Sequence, residues 1–446
     1  REQPLPDDPG ERATVAALQA RHHRAEIIDA LGDTVTSEAM FEEVRAGAEA
    51  IDYRPLQSLA LERLARRQAV TPKTRDMLYE ALHLAESVGY DEGVLTAWST
   101  LIRVHPYLGE YDAATRAARH AEAIAEKLGN DPMRIAAIAE GRGMVHLEKG
   151  ELDLAIRELS RAVALVEAAD PASPNIGVYL GNLGNAYALN ENNEEASEVF
   201  ERAYALHLDA LGPMNRAIGH DLMNLGRMSA RANRYDESNE YYLQALEVMR
   251  TVAPPSDFLT ITILNNLGQN YGDQGHHAEA IATVQQAIGD MERAVGPEHR
   301  QLVRMRRGLA EIYLDARDFP RALAEGQLAL DVSIASFGDD HPETSACRRR
   351  MGRILIAADR STEAVSLLER AFADEHAKNV PPLQHALTSY WLAAALQSDP
   401  TARERARELA VAALPALREG ELRDQERAKE IEHWLAGTGI LGGQDR

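Results

Sequence analysis

The sequence predicts an all-α fold, a solenoid of stacked helix hairpins, on three observations. Gly184, Gly226, Gly268 and Gly352 lie 42 residues apart or a multiple of it, with Ala310 in the open slot. Pro171, Pro213, Pro255 and Pro297 keep the same interval in a second phase. Aromatic residues make up only 5% of the chain against 45% hydrophobic residues in all, and no β-branched run alternates with period two. Alanine and leucine suit close-packed helices better than sheets. Two residue types marking two phases of one interval imply a copied structural unit. Such an array needs only neighbour contacts and acts through an extended surface.

Each element follows in order. Residues 1–10, REQPLPDDPG, read as a linker, and residues 11–89 as two divergent helical pairs, within 11–52 and 56–89. Residues 90–418 read as about eight repeats. Two upstream copies are spaced by 41: Ile102 with Gly109, Ala114 and Ala121, then Gly143 with Gly150, Ala155 and Ala162. The next begins at Leu183–Gly184 and continues through Tyr187, Ala196, Phe200 and Ala203. Later copies begin at Leu225–Gly226, Leu267–Gly268, Leu309–Ala310, Met351–Gly352 and Ala394. Small residues let helices approach, and the large ones beside them fill the adjoining volume. Prolines and glycines gather between repeats, where helices end. Residues 419–436 predict a capping helix with a polar outer face, and 437–446 a disordered tail.

The stretch LGNAYALNENNEEASEVFERAYAL resembles the tetratricopeptide repeat, a helix–turn–helix unit. The period exceeds the basic 34, and the loops LGPMNRA, VGPEHRQ and FGDDHPET resemble the kinesin-light-chain type. That resemblance implies a right-handed α-solenoid. A further resemblance covers residues ~4–435. The order PLPDDPGERATVAALQARHHRAE, AEAIDYRPLQSLALERLARRQA, LHLAESVGYDEGVLTAW and then the repeats is similar to the C-terminal region of large bacterial transmembrane serine/threonine protein kinases. The resemblance implies a regulatory or sensory region of a bacterial, membrane-anchored kinase. This chain has no HRD loop, no DFG and no Gly-rich phosphate loop, so these residues carry no phosphoryl transfer.

Other chemistry finds little support. The formal charge of -22 repels nucleic acid and anionic membranes, so neither is an expected partner. A single cysteine, Cys347, excludes an intramolecular disulfide and a Cys-based zinc site. No stretch approaches the ~20 apolar residues of a membrane span. No Walker loop, HExxH, nucleophile elbow or CxxC is present, and no cofactor is expected. Gly141-x-Gly143 reads as close helix packing. His22–His23 and His276–His277 read as surface histidines, since neighbours on a helix point about 100° apart and do not converge on one ion. His299 and His341 read as turn or capping residues.

The expected site is an inner face. In the resembled family the first helix of each unit lines the concave side. With the Leu–Gly pair as positions seven and eight, positions two, five, nine and thirteen share one stripe. Here the stripe is Val178, Gly181, Asn185 and Leu189, then His220, Met223, Arg227 and Arg231. It continues through Thr262, Asn265, Gln269 and Asp273, then Arg304, Arg307, Glu311 and Asp315, and ends with Ala346, Arg349, Arg353 and Ala357. Guanidinium forks suit carboxylates, and asparagine can clamp a peptide backbone with both donor and acceptor. The expected ligand is an acidic protein or peptide segment held by Asn185, Arg227, Arg231, Asn265, Gln269, Arg304, Arg307, Arg349 and Arg353. The competing expectation is that these arginines pair with Glu311, Asp315 and Asp273 in the same groove. Two functions remain open: a non-catalytic scaffold of a signalling kinase, or a stand-alone peptide receptor that compacts on binding its ligand.

Overall fold

The computed structural model describes residues 5–30, 34–68, 70–171, 173, 175–378, 380–420, 422–437 and 440–442. Among these residues there is no strand, and the chain forms antiparallel helix hairpins in sequence order. It divides into two units, Arg1–Ala253 and Pro254–Arg446. Residues 1–4 of the expected linker, and 438–439 and 443–446 of the expected tail, lie outside the described residues.

The first unit opens with two hairpins, α1 (Pro9–Ala30) with α2 (Thr34–Ala50) and α3 (Arg54–Arg67) with α4 (Pro72–Ser87). Four more follow: α5 (Asp91–Tyr107) and α6 (Tyr111–Lys127), α7 (Pro132–Glu148) and α8 (Leu152–Ala169), α9 (Asn175–Leu189) and α10 (Asn193–Leu211), α11 (Arg216–Arg231) and α12 (Tyr235–Val252). The second unit holds α13 (Phe258–Asp273) and α14 (His277–Val295), α15 (Gln301–Asp315) and α16 (Phe319–Phe337), α17 (Pro342–Ala357) and α18 (Ser361–Lys378), α19 (Pro382–Leu396) and α20 (Arg403–Glu419), then α21 (Leu422–Leu435). The linker is shorter than expected. Pro9 sits where a helix loses no hydrogen bond, and the Asp8 carboxylate accepts the Glu11 N–H at 2.9 Å, so α1 starts there.

Helix ends obey local chemistry that recurs with the period. Asp131, Asn215 and Asp257 each accept a backbone N–H two residues on, at 2.8–3.0 Å. The His341 imidazole does the same for Glu343 N–H at 3.1 Å, and His299 reaches Gln301 N–H at 3.4 Å. Between the two helices of each hairpin from α5/α6 to α17/α18 one residue has positive φ: Gly109, Gly150, Glu191, Asn233, Gly275, Arg317 and Asp359. The tight turn demands that conformation whatever the residue, although only glycine adopts it without steric cost.

The periodic small residues sit where helices cross. A Cβ on Gly184 would lie 2.6 Å from the Phe200 ring, and one on Gly226 2.8 Å from Tyr242. Gly143, Gly268 and Gly352 face Leu159, Val284 and Leu368 in the same way. Gly141 faces Ile102 at 2.8 Å, so the Gly141-x-Gly143 pair is packing. The repeat at Ala310 departs from this. Its facing position is Gly326, and the volume beside that glycine is taken by Met351 and Ile354 of α17. Buried alanines run through both units, among them Ala162 and Ala203 in the first and Ala371 and Ala413 in the second, each fully enclosed.

In both units the first helices of most successive hairpins touch one another, as α7 touches α9 and α15 touches α17. Among the described residues second helices make no comparable contact. The closer spacing on the first-helix side makes it the inner side of each unit.

Two expectations are corrected. His22 is buried, edge-to-face with Phe41 at 5.3 Å between ring centres, because it falls on the packed side of α1 while His23 turns to solvent. The tail is not wholly disordered. Leu441 is fully buried, and its backbone is hydrogen-bonded to the Gln397 side chain.

Candidate functional site

The expected stripe lies on α9 and α11 in the first unit and on α13, α15 and α17 in the second. In the first unit Val178 and Leu189 are exposed apolar residues, 55% and 58% accessible, at the two ends of α9. Gly181 is buried between them, and Asn185 is half-buried. On α11, Met223 is buried, His220 and Arg227 are half-buried, and Arg231 is exposed. Arg227 donates to the Asn185 side-chain oxygen and lies over the Phe200 ring, 5.8 Å from its centre. Two expected ligand-binding residues from adjacent repeats thus bind each other.

A polar cluster that sequence reasoning passed over lies beneath. The buried His207 imidazole pairs with the buried Asp221 carboxylate at 2.6 Å, joining α10 to α11. Gly177 leaves room for that ring, since a Cβ there would lie 2.4 Å from it. Asn224 meets His220 Nδ1 at 3.3 Å, and burial holds His220 below the usual histidine range. The sequence signal was Gly177, the residue just before the stripe begins at Val178.

In the second unit three of the expected arginines are already engaged. Arg307 donates to Glu343 at 2.7 Å. Arg349 donates to Glu375 at 2.6 Å, to the Thr388 hydroxyl at 3.1 Å and to the Gln384 carbonyl at 3.2 Å. Arg353 shares Glu311 with Arg350 and lies 5.6 Å from the centre of the Trp391 ring. Burial pushes the Glu375 carboxyl above its ordinary range, and burial lowers Arg349; each partner pulls the other part of the way back. Glu311 pairs as one expectation had it, but Glu343 and Glu375 come from outside the stripe.

Arg231 and Arg304 are exposed, and among the described residues neither makes an ion pair or hydrogen bond. Gln269 rests against the bare backbone of Gly308, within 2.3 Å of where a Cβ would stand. Asn265 is 7% exposed, and its side-chain oxygen has no hydrogen-bond partner among the described residues. It lines a cleft of about 470 Å³ with Thr262, Arg300, Gln301, Arg304 and Glu343, over an apolar floor that includes Ile261 and Met305. The oxygen has almost no exposed surface, so an incoming N–H would satisfy it, a gain of roughly 1–3 kcal/mol, only after the Asn265 side chain turns toward the cleft. The cleft therefore places the Asn265 amide near Arg304, a cation with no partner among the described residues.

Among the described residues no group of three histidine, cysteine or acidic side chains is placed to hold a metal. Cys347 is buried, with its thiol pushed up by burial. No helix among them is long and apolar enough to cross a membrane.

Comparison with known proteins gives consistent results. The tetratricopeptide repeat family model matches residues 134–209, 220–293 and 301–373, half of the chain. No curated protein matches by sequence. A signal transduction ATPase with numerous domains, carrying a tetratricopeptide repeat sensor, from Pyrococcus horikoshii is 14% identical, with a TM-score of 0.58 over 85% of this chain and 55% of that one. The apo form of RapI is also 14% identical, with a TM-score of 0.55 over 83% of this chain and 99% of that one. BtubC (BKLC) from P. vanneervenii is 19% identical, with a TM-score of 0.43 over 51% of this chain and 91% of its own. At these identities the likeness is one of fold.

Proposed function

This chain belongs to the tetratricopeptide repeat family, whose repeats imply a protein–protein interaction scaffold, and we propose that its first-helix face captures an extended or helical segment of a partner protein. The fold is typically non-catalytic. The observation that carries the reading is a cleft that joins the Asn265 amide, whose oxygen has no partner among the described residues, to the exposed Arg304, which has none among them either. Asparagine reads the main chain, and Arg304 favours an acidic residue on the bound segment. Arg307, Arg349 and Arg353 act differently. Arg307 and Arg349 are offset by Glu343 and Glu375, and Arg353 divides Glu311 with Arg350, so these side chains brace the face before they attract a ligand. The order of segments over residues ~4–435 supports a place as the regulatory region of a bacterial serine/threonine kinase.

Selection of binders from a random displayed peptide library against the full chain tests the site. Selected peptides are expected to carry Asp or Glu, and to lose at least tenfold in affinity against Asn265→Ala and against Arg304→Glu. Charge reversal at Arg307 or Arg349 is a poorer probe because it also breaks an internal ion pair. Binders indifferent to both Asn265 and Arg304 would remove the site from this face.

A further inference from the structure

The segment Ile440–Gly442 is held in the second unit in the manner of a bound peptide. Its polar contacts run to main-chain atoms. The Gln397 carboxamide donates to the Leu441 carbonyl at 2.8 Å and accepts the Leu441 N–H at 2.8 Å. One side chain thus satisfies both backbone groups of one residue. The next N–H, that of Gly442, is shared between the Tyr390 hydroxyl at 2.9 Å and the Glu430 carboxylate at 3.1 Å. Tyr390 itself donates to Glu430, which leaves its oxygen free to accept.

Side-chain recognition is confined to one position. Leu441 is fully buried, whereas the neighbouring Ile440 is 52% exposed. Gly442 has φ of 69°, and a Cβ there would stand 3.4 Å from the Trp391 ring and 3.8 Å from Ile356. The ring is held from Arg353 and Arg427, at 5.6 and 5.7 Å from its centre. An apolar slot for one aliphatic side chain, followed by a place where glycine fits best, is a short sequence specificity. The residues that build it come from α17, from α19 with Gln397 just after its end, and from α21, and the segment follows α21, which ends at Leu435.

We propose that this slot, formed by Ile356, Tyr390, Trp391, Ala394, Gln397 and Glu430, is a peptide-binding site for a Leu-Gly step, occupied in cis by Ile440–Gly442. The ligand it fits in trans is a protein segment presenting an uncharged aliphatic residue followed by glycine, read through its backbone. A tether of a few residues holds the resident segment at an effective concentration in the millimolar range. A partner therefore binds the intact chain weakly and gains access when the resident segment is displaced. The site is separate from the Asn265 cleft, and either can fail without the other.

The test uses the full chain with Leu441→Asp, which expels the resident side chain, and a fluorescent peptide of the sequence of residues 437–446, GTGILGGQDR. Anisotropy is expected to show saturable binding to the variant at least tenfold tighter than to the unaltered chain. Adding Gln397→Ala to the variant should weaken that binding at least tenfold, and a peptide with aspartate in place of its leucine should not bind. A chain ending at Gly437 serves as a second form with the slot open. Absence of saturable binding to both opened forms, or equal binding to opened and unaltered chains, overturns the proposal. So does unfolding of both opened forms by circular dichroism, which would make the segment part of the core.

Discussion

The α9/α10 and α15/α16 hairpins share a period and a turn, yet they fill their helix crossings from opposite directions. In α9/α10 the bare backbone of Gly184 receives the Phe200 ring from its own second helix. Phe200 is fully buried among Ala188, Ala196, Leu225 and Met228. In α15/α16 the small residue is Ala310, the facing position is Gly326, and the space is filled by Met351 and Ile354 of the following hairpin. The first crossing is closed largely by its own residues and the second by its neighbour's. A repeat can therefore lose its large residue without leaving a cavity, provided the next unit supplies the volume.

The comparison can be broken most directly at Phe200. Phe200→Ala should lower the unfolding free energy of the first unit by about 3–5 kcal/mol, the range for deleting a buried phenylalanine. Urea denaturation followed by circular dichroism measures it. A loss below about 1 kcal/mol would mean that neighbours collapse into the space, as they do at Gly326.

A smaller and sharper contrast uses the same chemical change at two glycines. Gly184→Ala places a methyl 2.6 Å from a rigid ring atom and should cost roughly 1–3 kcal/mol. Gly326→Ala places one 3.1 Å from Met351 Cγ, on a flexible side chain that can give way. Helix propensity favours alanine there by about 1 kcal/mol, so the expected change lies between neutral and that gain. Equal losses at both sites would show that the second crossing is as tightly filled as the first.

The smallest effect tests what the hairpins have in common. Glu191 and Arg317 hold the same turn at φ of 62° and 58°. Glu191→Gly and Arg317→Gly should each stabilise the chain by about 1 kcal/mol, since the left-handed conformation burdens any residue with a Cβ. Thermal melts should show similar shifts. A gain at only one would tie the turn to the way its crossing is filled.

Much of this was legible from residue spacing. Gly184, Gly226, Gly268 and Gly352 announced the crossings, and Phe200 and Tyr242 the residues that fill them, because helical packing repeats wherever side-chain volume repeats. The inner stripe was legible as positions, since i and i+4 share a helix face. The partners of those positions were not. Glu343 and Glu375 stand 36 and 26 residues from Arg307 and Arg349, and spacing along one helix carries no information about a carboxylate on the next. The same limit hid the His207–Asp221 pair and the bond between Arg227 and Asn185.

By itself the sequence determined the all-helical class, the hairpin unit and its turns, because these depend on backbone preference and on periodicity within a short window. Tertiary structure alone decided which arginines meet carboxylates, that the Asn265 oxygen has no partner among the described residues, and that Leu441 packs beside α19. Those outcomes depend on side chains meeting across helices, where charge and volume are balanced between residues whose separation along the chain follows no local rule.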